Sequence, residues 1–202
     1  MQVSGPGVQR VTARPDFGAL GAYRLSMASG VMAAGLAAGS EVYQFRWTDT
    51  TRLCVVTRII FDGAGSIAAF TAGVTRIDAV LARAWTAAGT GGTAATITGD
   101  NQKLRTSMGT TLLGEARVAS TVALGVGTKT LDSQAIGNAV ASIDTTAGGV
   151  VLPRSVLFDY DGGAAMPIVL ATNEGFALRA TVPATGTWTF AVTVEWSEVV
   201  SY

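Results

Sequence analysis

Apolar and polar side chains alternate most clearly in the segment that starts at residue 41. Within residues 41–48, Tyr43, Phe45 and Trp47 fall on one face, and mainly polar side chains occupy the other. This period of two, in a composition rich in β-forming residues, predicts a half-buried strand. Residues 52–61 are apolar on both faces and rich in β-branched side chains, which predicts a central strand buried on both sides. The sequence DGAG at residues 62–65 is expected to end that strand.

The C-terminal third has the most regular alternation in the chain. Short strands are predicted at residues 155–160 and 167–171, each followed by a turn that contains Gly with Asp or Asn. Residues 176–181 and 187–196 alternate on either side of the connection PATG, which predicts a β-hairpin. Strands with turn signals roughly every 8–12 residues are typical of sandwiches and jelly rolls. We therefore predict an all-β fold, an antiparallel, jelly-roll-like β-sandwich.

The middle of the chain is less regular. Residues 74–85 fit both a helical period and strand alternation, and their strand neighbours favour a strand. Residues 86–99 are predicted as a long loop, residues 118–124 as a weak strand, and residues 133–149 as loop or a short helix. The apolar faces of the best strands define the predicted core, which consists of Phe45, Trp47, Val55, Ile59, Phe176, Leu178, Phe190 and Val192.

The first 39 residues contain few large apolar side chains and many Gly, Ala, Ser and Pro residues. We therefore divide the chain into an extended N-terminal arm, residues 1–39, and a β-sandwich domain, residues 40–202. Ordering a free arm costs about 1–2 kcal/mol per residue in backbone entropy, so contacts from elsewhere must offset that cost. The arm is predicted to lie across another subunit, with the apolar anchors Val11, Phe17, Leu20, Tyr23 and Leu25.

The composition narrows the class of protein. Lys plus Arg and Asp plus Glu each total 14, and charged residues make up 14% of the chain, against roughly 25% in an ordinary soluble domain. A hydrophobic content of 49% argues against disorder, and zero net charge against binding nucleic acid through bulk positive charge. The longest small-apolar stretch, residues 25–38, is shorter than the roughly 20 residues that cross a bilayer, so no membrane partner is expected. Low charge favours a self-associated state, and we predict a homotrimer.

Catalytic and metal-binding residue types are scarce. The chain has no histidine, which excludes Ser-His-Asp and Cys-His catalysis and histidine metal ligands. A single cysteine, Cys54, excludes an intramolecular disulfide and a multi-cysteine zinc site, and its apolar surroundings predict a core position. The glycine-rich runs GTGG and GVGTKT do not match the pattern of a phosphate-binding loop. We therefore expect a protein that is not an enzyme and has no cofactor.

Three groups of residues keep two interpretations open. Asp159 and Asp161 in FDYDGG fit either a cation site or a solvated turn, and the turn is favoured. The tryptophans fit either sugar stacking or packing, and their place in alternating strands favours packing. The strand arginines fit either an interface with a neighbouring subunit or solvated strand edges. They are Arg46, Arg52, Arg58 and Arg179, of which Arg46 is selected as a predicted interface residue.

Three segments resemble small virion proteins of tailed bacteriophages. They are SGVMAAGLAAGSEVYQFRWTDTTRLCVVTRI, LARAWTAAGTGGTAATITGDNQKLRTSMGT and IVLATNEGFALRATVPATGTWTFAVTVEWSEV. The resemblance lies in the general character of these three segments and includes no catalytic signature, so no functional residues are carried over from it. It implies a virion structural protein, because tailed-phage decoration proteins are commonly small β-rich trimers on the capsid surface. The implied function is that of a capsid decoration, or cement, protein that is assembled in the host cytoplasm and bridges major-capsid subunits.

Two other functions are weighed against this one. A tail or fibre host-recognition module that binds surface glycan is the main alternative, and aromatic residues exposed on loops would favour it. A hydrolase that uses carboxylates is disfavoured, because the sequence supplies no recognisable acid–base apparatus. An ordered arm that lies on another subunit would favour the cement protein.

Overall fold

The computed structural model describes residues 21–33, 35–99, 102–143, 147–160 and 166–202. These residues form thirteen strands and no helix. The described part of the chain accordingly contains no helix that is long and apolar enough to cross a membrane. The strands are β1 Ala22–Ala28, β2 Ser40–Trp47, β3 Leu53–Ala68, β4 Gly73–Ala87, β5 Thr93–Ala94, β6 Leu113–Val118, β7 Thr128–Leu131, β8 Gly137–Ile143, β9 Val150–Leu152, β10 Ser155–Asp159, β11 Ile168–Leu170, β12 Glu174–Thr181 and β13 Thr187–Val199.

The strands form two antiparallel sheets, A and B. In sheet A, β13 lies between β1 and β3, and the short strands β9, β10 and β11 pair one after another along the other edge of β3. In sheet B the order is β5-β6-β2-β12-β4, and β7 and β8 share the far edge of β4. Each of the two long strands, β3 and β4, therefore pairs along one edge with several short strands.

The order of the strands is that of a jelly roll. Strands β1, β2, β3 and β4 alternate between sheets A and B, and β12 and β13 alternate again at the end of the chain. In consequence, the last strand lies beside the first in sheet A, and β12 lies between β2 and β4 in sheet B. This is the double-sheet arrangement of two Greek keys. The predicted all-β, jelly-roll-like sandwich is confirmed.

Aromatic side chains join the two sheets. All eight predicted core residues are buried, none more than 3% exposed, which confirms that prediction. Phe45 stacks on Phe176 with ring centroids 5.1 Å apart, and its edge meets the ring of Trp196 at 5.2 Å. Phe45 and Phe176 come from sheet B and Trp196 from sheet A. Such ring pairs contribute about 0.5–1.5 kcal/mol beyond the burial of their area.

The strand predicted to end at residue 61 continues to Ala68, so that prediction is wrong. Its glycines allow the continuation, because the register against β13 shifts near Gly63, where φ is +113°. A residue with a side chain would be strained in that conformation. The bulge accommodates the shift in register while the ladder continues, so this glycine-rich stretch is part of the strand.

The predicted hairpin at residues 176–196 is also wrong. Strand β12 pairs with β2 and β4 in sheet B, whereas β13 pairs with β1 and β3 in sheet A. The connection at residues 182–186 therefore passes from one sheet to the other. The alternation had predicted correctly which side chains face the core, but two strands that face one core need not be hydrogen-bonded to each other.

The division at residue 40 needs a correction as well. Strand β1 pairs with β13 along its whole length, so residues 22–28 belong to the sandwich. Tyr23 is fully buried and stacks on Trp196 at 5.5 Å, and Leu25 is 8% exposed in the same core. These two predicted anchors are thus packed inside their own chain. The other predicted anchors, Val11, Phe17 and Leu20, lie outside the described residues.

Three predictions for the middle of the chain have mixed outcomes. The ambiguous segment is a strand, β4, as favoured. The segment predicted as loop or short helix contains β8, and the weak strand lies earlier than predicted, at β6. The long loop contains the two-residue strand β5. Small side chains hide β8 in the sequence, but β4 supplies a partner for each of its seven residues.

Candidate functional site

Charged side chains form a continuous row across sheet A. Arg24, Glu195, Arg58 and Asp159 are aligned in register on β1, β13, β3 and β10. Arg24 Nε lies 3.5 Å from Glu195, and Arg58 Nη1 lies 3.8 Å from the other oxygen of that carboxylate. Arg58 also donates two hydrogen bonds to Asp159, at 2.9 and 3.1 Å. Two cations and two anions thus balance each other within the row.

This row bears on the suggested cation site. Both carboxylate oxygens of Asp159 accept hydrogen bonds from Arg58, which raises the pKa of that guanidinium. Asp161 lies outside the described residues. Within the described part of the chain, no three Cys, Asp or Glu side chains come together as metal ligands. The position of Asp159 is accordingly that of an ion-pair partner.

Sheet B carries a second row on its outer face, and the row has a different charge balance. Glu41, Arg179, Asp78 and Asn138 are in register on β2, β12, β4 and β8. Each acidic residue is paired with a cation outside the row: Lys129 Nζ lies 2.8 Å from Glu41, and Arg76 Nε lies 2.9 Å from Asp78. Among the described residues, no carboxylate forms an ion pair with Arg179.

A polar recess of about 290 Å³ opens beside Arg179. Its charged members are Arg76, Asp78 and Arg179, and the loop that precedes β8 contributes polar side chains. The full lining consists of Arg76, Asp78, Val80, Ser133, Gln134, Ala135, Asn138 and Arg179. Two arginines and one aspartate leave this recess with an excess of one positive charge.

Backbone contacts hold Arg179 in place. Its Nε donates a hydrogen bond to the carbonyl oxygen of Gly39 at 2.8 Å. Gly39 has a φ of +73°, and a Cβ atom at this position would come within 2.3 Å of Arg179 Nη2. A glycine therefore leaves both the backbone conformation and the space that this guanidinium position requires. The remaining nitrogens of Arg179 are free of hydrogen bonds to the other described residues.

A buried ion pair forms at one end of the second row, where Lys129 contacts Glu41. The side chains of Lys129 and Glu41 are each only 2% exposed, and Lys129 Nζ also lies 4.2 Å from the ring centroid of Trp85. Gln44 donates to the same Glu41 oxygen at 2.6 Å and to the carbonyl of Gly125 at 3.1 Å. These contacts fasten the loop before β7 onto the outer face of sheet B. A buried charge pair of this kind is stable only while both partners are present.

A second acidic group is buried at the end of sheet A. Glu198 is fully buried, accepts a hydrogen bond from the backbone N–H of Leu112 at 2.9 Å, and lies 3.6 Å from Arg52. Burial raises the pKa of Glu198, which outweighs the opposing effect of its hydrogen bonds and of Arg52. Cys54 lies opposite Glu198 on β3, and burial raises the pKa of its thiol. The predicted core position of Cys54 is confirmed.

The remaining residues singled out in the sequence have contacts within the chain. Arg46 donates hydrogen bonds to the carbonyls of Trp85 and Thr86, at 3.0 and 3.1 Å. Its guanidinium is therefore engaged on its own sheet, and its predicted role at an interface stays a prediction. All four tryptophans are buried, at most 1% exposed, as packing predicted. They are Trp47, Trp85, Trp188 and Trp196.

Several aliphatic side chains are exposed at one end of sheet A. Val31, Ile67 and Val150 are 49%, 52% and 77% exposed. Their neighbours are linked across four segments, because Met32 and Ser66 both pair with Trp188, and Val150 pairs with Gly65. We call these three residues the aliphatic end of sheet A.

No family model, curated protein or solved structure matches this chain. The function is accordingly argued from the residues and from the geometry of the two sheets. Of the residues in the two charged rows and the recess, the sequence had indicated Arg179, Arg58 and Asp159. It had not indicated Arg76, Asp78 and Asn138, although the spacing of Arg76 and Asp78 places both on one face of a strand.

Proposed function

We propose that this chain is a non-enzymatic structural component of a phage particle, a capsid decoration or cement protein that bridges major-capsid subunits on the capsid surface. The observation that carries the proposal is the aliphatic end of sheet A. Three aliphatic side chains, Val31, Ile67 and Val150, stand about half or more exposed on neighbouring segments at one end of sheet A. Apolar side chains exposed close to one another are typical of sites that contact another protein.

The rest of the molecule supports a structural role. All four tryptophans are buried, and the charges of the sheet A row are paired within the sheet. A cement protein needs a stiff body and a surface that is lost from solvent on assembly, so that separating the partners exposes that surface again. The resemblance of three segments to virion proteins of tailed phages is the further support, and a homotrimer is the proposed assembly.

The alternative is a tail or fibre module that recognises host glycan. The polar recess on sheet B is the observation in its favour. The buried tryptophans offer no ring faces for stacking on sugars, and Tyr202 is the one large aromatic side chain of the described residues that is exposed, at 45%. We therefore prefer the cement protein.

The decisive experiment uses particles of the phage that encodes the chain. Purified protein should self-associate at micromolar concentration in native mass spectrometry and should sediment with isolated heads that lack it. A low-resolution cryo-electron microscopy map of those heads should show added density on the capsid surface. Density on tails or fibres, or sedimentation with host envelopes alone, would favour the alternative.

Two variants connect this test to the aliphatic end of sheet A. Ile67→Asp and Val150→Asp should each weaken head binding, because a charge that is buried at an interface must lose its hydration. Val200→Asp is the matched control, since Val200 is 69% exposed and follows β13 at the opposite end of sheet A. Equal loss for all three variants would show that the aliphatic end is not the contact. Circular dichroism confirms that each variant is folded.

A further inference from the structure

The polar recess on sheet B has the features of a binding site whose ligand carries one negative charge. Arg179 and Arg76 contribute two guanidinium groups, and Asp78 contributes one carboxylate that Arg76 already contacts at 2.9 Å. Arg179 is the cation left for a ligand, and its Nε is anchored to the carbonyl of Gly39. A guanidinium held in this way loses little further freedom when it forms paired hydrogen bonds to a carboxylate.

The remaining lining favours a ligand with hydroxyl groups. Asp78 can only accept hydrogen bonds, whereas the side-chain amides of Gln134 and Asn138 can both donate and accept. A dianion such as phosphate would lie close to the Asp78 carboxylate, and the two would repel each other. Hydroxyl groups would satisfy Asp78 and the amides. The recess thus suits a ligand that combines a single carboxylate with several hydroxyls.

Size restricts the ligand further. A volume of about 290 Å³ lies at the lower end of the range of small-molecule pockets, which is roughly 300–1,000 Å³. The recess therefore has room for one sugar ring with its carboxylate.

We propose that this recess binds an acidic monosaccharide unit of the uronic-acid type. The carboxylate binds Arg179, and the ring hydroxyls bind Asp78, Asn138 and Gln134. The inference concerns the recess alone and holds equally for a protein on the head or on the tail of a particle. Its test is therefore separate from the test of the cement function.

The test is a titration of the full-length, isotope-labelled protein followed by amide NMR. D-glucuronate is the probe, D-glucose is its neutral counterpart, and acetate and inorganic phosphate are anions without a sugar ring. We expect glucuronate to shift the amide signals of residues 76–80, 133–138 and 179. Glucuronate should bind at least about tenfold more tightly than glucose, acetate or phosphate, because only glucuronate supplies both the carboxylate and the hydroxyls.

Variants test the contribution of the charged groups of the recess. Arg76→Gln removes the excess charge at a side chain that is 52% exposed, and it should weaken glucuronate binding about tenfold. Asp78→Asn should strengthen acetate binding while reducing the preference for glucuronate, because it removes both the repulsion and a hydroxyl acceptor. Arg58→Gln is the matched control on sheet A and should leave the affinity unchanged.

Three results would overturn the proposal. Acetate or phosphate binding as tightly as glucuronate would identify a simple anion site. Shifts spread over both sheets, with Arg58→Gln reducing the affinity as much as Arg76→Gln, would indicate general attraction to positive charge. Absence of any saturable shift in residues 76–80, 133–138 and 179 would show that the recess does not bind such a sugar.

Discussion

The outer faces of the two sheets each carry a row of polar residues across four strands, yet the rows differ in what they leave unpaired. In sheet A, two arginines and two carboxylates alternate, so each charge has an opposite neighbour. In sheet B, the two carboxylates are paired with Lys129 and Arg76, which leaves Arg179 beside a recess. Alignment of charges across strands thus produces a closed network in one sheet and a binding surface in the other.

Burial also separates the two faces. The arginine side chains of the sheet A row are 40% and 51% exposed, whereas the side chains of Lys129 and Glu41, at one end of the sheet B row, are each 2% exposed. Water screens exposed pairs, so their net contribution is small. A buried pair gains a stronger attraction but carries a desolvation cost that only its partner offsets. The sheets should therefore respond very differently to the loss of one charge.

The largest difference is expected on removal of Lys129. Lys129→Met leaves the Glu41 carboxylate buried without its cation, and the free energy of unfolding should fall by about 3–5 kcal/mol. Urea denaturation measures this change. The double variant Lys129→Met/Glu41→Gln should recover much of the loss, because it removes the orphaned charge.

The control for this comparison is Arg58→Met in sheet A. Here too a cation is replaced by methionine, but the arginine is exposed. It should cost less than about 1 kcal/mol. Equal losses for Lys129→Met and Arg58→Met, or a double variant no better than the single one, would contradict the contrast between the faces.

A smaller effect is expected at the backbone position that holds Arg179. Gly39 and Gly148 have φ angles of +73° and +74°, so Ala at either position should cost about 1–2 kcal/mol in backbone strain. Only at Gly39 does the new Cβ approach the guanidinium of Arg179, whereas nothing lies within 4 Å at Gly148. Gly39→Ala alone should therefore shift the Arg179 Nε signal in NMR and weaken glucuronate binding. Equal effects of both variants on that signal would show that Gly39 does not position Arg179.

A pH-dependent effect is expected from Glu198 at the buried end of sheet A. Burial raises the pKa of this carboxyl above its value in the unfolded chain. Its protonated form is therefore favoured in the folded state, and the stability it contributes below the unfolded pKa is lost as the pH rises through the folded pKa. Relative to Glu198→Gln, the native protein should lose stability from acid to neutral pH. Denaturation midpoints that stay parallel across this range would contradict the assignment.

The alternation of apolar and polar residues predicted which side chains face the core better than it predicted which strands pair with each other. Phe176 and Phe190 were correctly placed in the core, because the period of a strand fixes which side chains share a side. Their strands were expected to pair with each other, but pairing depends on contacts far apart in the chain. Likewise β8 was missed, because its small side chains give little amphipathic signal and its pairing partner is β4. Strand β1 was missed although Tyr23 and Leu25 alternate with polar residues, because it was predicted to be part of a Gly- and Ala-rich arm and its partner β13 lies at the far end of the chain.

The recess illustrates the same limit for a site. Arg179 was visible as an arginine in a strand, and the alternation put it opposite the core. Its neighbours Asp78 and Asn138 come from β4 and β8, which register places beside it across two strand pairs. Neither pairing could be read from local pattern. The glycine at position 39 has a visible role only once Arg179 is placed against it.

The smallest effect is expected from the sheet A row itself. Glu195 lies between Arg24 and Arg58, with N–O distances of 3.5 and 3.8 Å, and both arginine side chains are about half exposed. Glu195→Gln should therefore lower the free energy of unfolding by less than about 1 kcal/mol, and the loss should shrink as salt rises and screens the pairs.

Arg58 and Asp159 form the closer, two-bond contact, so a double-mutant cycle between them should give a coupling at the upper end of about 0.2–1 kcal/mol. A coupling of several kcal/mol that is independent of salt would mean that this row is shielded from water as the Lys129–Glu41 pair is, as it would be beneath another protein. Measured in the isolated chain and again in the assembled state, the cycle would thus report whether this face of sheet A becomes covered on assembly.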